Sequence, residues 1–228
     1  MIAVTFALPT ESAVFVHLLR DARHEMSIEV FHTGVGRRSC QDKIDMFLDA
    51  QRPAILISAG FAGALSDQLK IGDILLAENF STPRTLQTAR ELLADSFTRI
   101  GKLFTADAIV DSIEKRNEIA RTTSAIAVDM ETEWIAAACA ARDIPLLSLR
   151  AISDTPGKPL PAPPHVLFDL HRQKTEFGRL ALYLLKHPPA VLRLIAFARR
   201  IRSARNSLAA ALVIVCEELS SSDRRTNE

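Results

Sequence analysis

A chain of 228 residues, 48% hydrophobic and 24% charged, has the make-up of an ordinary globular domain and is long enough to enclose a sizeable core. Its formal net charge of +1 excludes a general nucleic-acid binder, which would need a broad cationic surface. Cys40, Cys139 and Cys216 are scattered and lack metal-ligand spacing, so a reducing, cytoplasmic compartment is expected, with no metal and no disulfide framework.

The opening run IAVTFAL (2–8) predicts a buried strand. Pro9 and Glu11 cut it off, which leaves it too short for a secretion leader or a membrane span. Residues 12–22 have helical spacing. SIEVFHTGVG (27–36) predicts a strand running into a glycine turn, and RRSCQDKIDMFLDAQ a helix. AILISAGFAGAL (54–65) reads as a strand ending in a loop of small residues, and DILLAEN (73–79) as another strand. A helix is expected over 85–97, an extended stretch over 101–110, and a helix in DSIEKRNEIAR. SAIAVDM then predicts a strand, ETEWIAAACAAR an alanine-rich helix, and IPLLSLRAISD a closing strand. Helical patterns continue to about Leu219, interrupted at His187, Pro188 and Pro189.

Alternation of fully apolar strands with helices predicts an α/β domain with helices on both faces of a parallel or mixed sheet. Ligands in such sheets bind beyond the carboxyl ends of the strands. Those ends carry ALPTE, TGVG, SAGFAG, DMETE and AISD, and three of the five present a carboxylate. Residues 1–185 are expected to form this domain, and 186–228 a basic, amphipathic helical extension. The segment 186–205 holds six Lys or Arg and no acid. Such an extension suits a dimer contact, packing on the body, or peripheral contact with a membrane surface.

Asp154 alone reads first as a turn former, since Pro156 and Gly157 follow it. The wider pattern favours a chemical role. ALPTES, TGVG, SAGFAGAL…LKIGDILLAE, AVDMETEWIAAAC and LRAISD, in that order, resemble the nucleoside phosphorylase and nucleosidase superfamily over about residues 1–185. The pattern is most similar to that of 5′-methylthioadenosine/S-adenosylhomocysteine nucleosidases. The resemblance implies a three-layer αβα sandwich around a central mixed, mainly parallel sheet. It also implies a homodimer, a small purine nucleoside as substrate, and no cofactor.

Cleaving a purine from ribose passes through a cation-like sugar while negative charge grows on the base, which calls for an acid, a sugar-binding group and a placed nucleophile. By resemblance, Asp154 is the acid that protonates N7. It must hold a proton near neutral pH, as burial favours, with Ser153 orienting it. Glu131 grips the ribose hydroxyls, although a first-turn helix acid is its plainer reading. Met130 touches the sugar face, and Glu11 orients the attacking water. Ile109 and Val110 border the purine, and Phe61, Ala62 and Gly63 line the substrate site. Asp129 and Glu133 read as structural, and Trp134 as core.

Phosphate as nucleophile would need a cationic cradle. The first loop has no Arg, Ser58 precedes the second, and Glu11 would repel an anion. Arg37 and Arg38 read as a solvent-facing helix start. Hydrolysis releasing adenine from an adenosine derivative is therefore expected, with a phosphorylase or a non-catalytic nucleoside binder as alternatives. The short NFSTPRT connection implies an open 5′ pocket. Together with the basic extension, it is similar to the hopanoid-associated nucleosidases, which remove adenine from adenosylhopane.

Overall fold

Strands β1 (Ile2–Phe6), β3 (Ile55–Ala64), β4 (Ile74–Ala77) and β8 (Leu146–Asp154) are almost wholly buried, as expected for apolar strands covered on both sides. With β2 (Ile28–His32) and β5 (Thr98–Gly101) they run in the order β2-β1-β3-β8-β4-β5. β7 (Ala127–Asp129) adds to the end of β3, and β6 (Leu103–Thr105) pairs with β7. Most pairings are parallel; β4 with β8 and β3 with β7 are antiparallel, so the sheet is mixed. The computed structural model describes residues 1–21, 27–94, 97–158, 160–163, 166, 183–184 and 186–226.

Alternate residues of the central strands face opposite layers. Val4, Ile57 and Leu147 pack with Phe15 of α1 (Pro9–Asp21), Ala89 of α3 (Pro83–Leu92), and Leu208 and Leu212 of α6 (Pro189–Thr226). Ala3, Leu56 and Leu146 pack on the other face, against α2 (Arg37–Gln51) and α5 (Thr132–Ala140). Their contributors Cys40, Ile44 and Leu48 follow i, i+4 spacing, as do Ile135 and Cys139. α4 (Ile113–Thr123) starts at Ser112, whose side chain accepts the Lys115 N–H, and buries Ile119 against Leu65, Val110 and Val128. The result is the expected three-layer α/β sandwich.

Three details differ from expectation. SAGFAG is the end of the ten-residue β3, held there by β8, rather than a loop. The helix expected over 85–97 stops at Leu92, which frees Thr98–Gly101 to pair with β4. TADAIV leaves the sheet after Thr105. The helical pattern expected between Pro164 and Lys186 lies largely outside the described residues. α6 begins beyond Pro188, and its later half lies in the core through Ala204, Leu208, Leu212 and Cys216. Its first turns leave Leu192 73% exposed. No helix among the described residues is long and apolar enough to cross a membrane. All three cysteines are buried and free.

Candidate active site

The strands end together at one rim. Glu11 follows β1, Val35 follows β2, Phe61, Ala62 and Gly63 lie late in β3, Met130 and Glu131 follow β7, and Ser153 and Asp154 finish β8; all line one cavity of about 210 Å³. Ile109 and Val110 complete a wall after β6. Every site residue expected from sequence therefore borders the same space.

Ser153 and Asp154 owe their shared direction to a bulge. β3 and β8 pair in step up to Ala62 with Ile152, and the next pair is Gly63 with Asp154, so Ser153 is the extra residue. Regular alternation would send the two side chains to opposite faces; the bulge brings both to the cavity. Ser153 Oγ donates to Asp154 Oδ1 at 2.8 Å, the orienting bond expected from sequence. The other oxygen, Oδ2, is bound by the guanidinium of Arg116, which sequence reasoning missed. The acid expected to rely on burial and Ser153 thus has a cation on it as well.

Glu11 lies in the first turn of α1, and its Oε2 accepts the backbone N–H groups of Ala7 and Leu8 at 3.1 and 3.2 Å. Burial raises its pKa above the usual carboxylate value, against the pull of those N–H groups and of Arg150. Glu131 stands at the N-terminus of α5 without bonding the helix's own N–H groups, and its Oε1 accepts the Gly36 N–H at 2.8 Å. Gly36 turns there at φ 83°, a conformation that favours glycine. Burial first, then the charges of Asp129 and Glu11, raise the Glu131 pKa to about 8, while the Gly36 N–H and Arg150 oppose the rise.

Beneath the carboxylates lies a second missed arginine. Arg150, buried within β8, donates from Nε to Asp129 Oδ2 at 3.0 Å and from Nη1 and Nη2 to the carbonyl and hydroxyl of Ser58 at 2.6 and 2.8 Å. Asp129 also accepts from Thr105 Oγ1 at 2.8 Å and from the Thr132 N–H at 3.2 Å. This network ties β3, β6, β7 and β8 to the start of α5; Asp129, read from sequence as structural, anchors it and also lines the cavity. Glu133 is exposed and Trp134 half-buried. Arg37 and Arg38 are exposed at the start of α2, with Arg37 4.3 Å from the Trp134 ring centre. Neither lines the cavity. No cluster suited to a metal occurs among the described residues.

Fold and sequence point to one class. A model of the phosphorylase superfamily matches residues 81–186, and the chain is similar to that superfamily. Among individual proteins, it is 23% identical over 158 residues to a 5′-methylthioadenosine/S-adenosylhomocysteine nucleosidase of Staphylococcus aureus strain bovine RF122, covering 57% of this chain and 69% of the relative. Its fold matches that of a Helicobacter pylori 5′-methylthioadenosine/S-adenosylhomocysteine nucleosidase with TM-score 0.70 at 17% identity, over 95% of this chain and 97% of the other. Futalosine hydrolase of H. pylori strain 26695 matches with TM-score 0.69 at 18% identity, again over 95% and 97%.

Proposed function

We propose that the chain is a purine nucleosidase: an N-glycosyl hydrolase that uses water to separate a purine from the sugar of an adenosine derivative. The observation that carries this reading is the convergence of Glu11, Glu131 and Asp154, from three distant parts of the chain, on one cavity. A structural core gains nothing from three carboxylates, and each is disfavoured there unless it has a task.

The roles follow from position. Glu131 is held through one oxygen by Gly36 and turns the rest of its carboxyl group to the ribose hydroxyls. Met130 and Phe61 supply apolar contact beside it. Glu11, fixed by two backbone donors, takes the proton of the attacking water. Ser153 and Asp154 stand at the purine, bordered by Ile109 and Val110. Water is favoured over phosphate because the cavity offers no free cationic cradle among the described residues: Arg116 is taken by Asp154, and Arg37 and Arg38 lie outside the cavity.

The test is purine release from methylthioadenosine, S-adenosylhomocysteine and adenosine in phosphate-free buffer. The reading predicts release, with rates that rank the 5′ groups. Release only when phosphate is added would replace it with a phosphorylase.

A further inference from the structure

The cavity contains a cation for which the hydrolytic scheme has no task. Arg116 is 2% exposed and lines the cavity. Its Nη1 donates to the Ala64 carbonyl at 2.7 Å, and its Nη2 binds Asp154 Oδ2. Its Nε–H is buried and meets no acceptor among the described residues. Ala64 and Asp154 each take one N–H of the planar fork, and each Nη carries a second, so an acceptor arriving in the cavity has a donor to meet. The site is also shaped to the pair. A Cβ on Gly63 would stand 2.9 Å from Asp154 Oδ2 and 3.4 Å from both Nη atoms of Arg116.

A guanidinium beside a carboxylate offers a donor next to an acceptor. The N7/N6 edge of a 6-aminopurine offers the complement, an acceptor next to an amine donor. We propose that Arg116 is a catalytic residue of the nucleosidase, donating an N–H to N7 of the departing 6-aminopurine while Asp154 accepts from the exocyclic amine. This inference rests on the nucleosidase reading above. It moves leaving-group activation from a proton on Asp154 to the cation that Asp154 holds in place.

The chemistry balances without a further reagent. The C1′–N9 bond breaks and its electron pair stays with the purine, whose charge spreads to N7 opposite the guanidinium. Water adds its oxygen to C1′ and gives a proton to Glu11. That proton returns through solvent to the purine, so nucleoside and water become free sugar and neutral base. A fixed donor facing charge that develops only as the bond breaks lowers the barrier rather than merely tightening binding.

The test compares R116Q and R116K with the unaltered protein on two substrates, a purine nucleoside and a 4-nitrophenyl riboside. Nitrophenolate leaves as a stable anion and needs no help. In R116Q, kcat for purine release should fall by about 100-fold or more. Nitrophenol release should fall at least about 10-fold less, and R116K should recover part of the loss. Equal losses on the two substrates would make Arg116 structural and overturn the proposal, as would undiminished purine release. If R116Q does not fold, R116K keeps the charge but not the planar fork, and the same ratio decides. Unaltered protein that releases no purine from any nucleoside would instead overturn the nucleosidase reading underneath, and this inference with it.

Discussion

Glu131 illustrates how one buried carboxyl group makes stability depend on pH. In the unfolded chain it ionises at an ordinary carboxylate value; in the fold its pKa is raised to about 8. The folded state therefore binds more protons between these values, and stability falls as pH rises through that window. E131Q keeps an acceptor for the Gly36 N–H but cannot ionise. It should raise the melting temperature clearly at pH 8 and little at pH 4, while lowering nucleoside affinity. A melting temperature at pH 8 no higher than that of the unaltered protein would show that the carboxylate is not held against its charge. Gly63 gives a second prediction at this scale. In G63A the added methyl must displace the Asp154 carboxylate, whose Oδ2 would be only 2.9 Å away. Purine release should drop about 10-fold or more, as expected when a catalytic group is misplaced by even an ångström. Near-normal turnover would mean that this pair is not needed where it stands.

Elements position these residues by departing from regularity at their ends. The bulge at Ser153 turns two neighbouring side chains of β8 to one side, and α5 begins just beyond β7, which leaves Glu131 at its N-terminus. α6 supports the same rim from behind, since Arg200 donates to the Lys158 carbonyl in the turn that follows Asp154. Its later half is also a load of the main core, with Leu212 wholly buried among residues of α1 and the sheet. L212A should destabilise the protein by about 2–5 kcal/mol in denaturant titration, as cavity-forming core substitutions do. A change below about 0.5 kcal/mol, typical of surface sites, would mean that the helix is peripheral to the fold.

Across the whole molecule, the parts legible from sequence are those that repeat a simple rule. Buried strands read as unbroken apolar runs, and carboxylates at the ends of such runs stand out, which is why Glu11, Glu131 and Asp154 could be placed together. The two arginines were harder to read for different reasons. Arg116 sits in DSIEKRNEIAR among charged neighbours and resembles a solvated helix residue. Yet it stands three residues before Ile119 and four before Ala120, on the helix's packed face, and that spacing was the available signal. Arg150 lies in a wholly buried strand, which by itself demands a partner, but Asp129 is identified as that partner only by the fold. The bulge at Ser153 left no mark in the sequence, because it arises from pairing between strands almost a hundred residues apart. The limits of the helix over 83–92 depended likewise on β5 pairing with β4.

In the proposed reaction the site directs water, and not phosphate, to the sugar. The most direct measurement is product analysis after turnover of a purine nucleoside in ¹⁸O-labelled water with inorganic phosphate present. Free sugar carrying the label at C1 and no sugar 1-phosphate is the expected result. Sugar 1-phosphate with no labelled free sugar would contradict it.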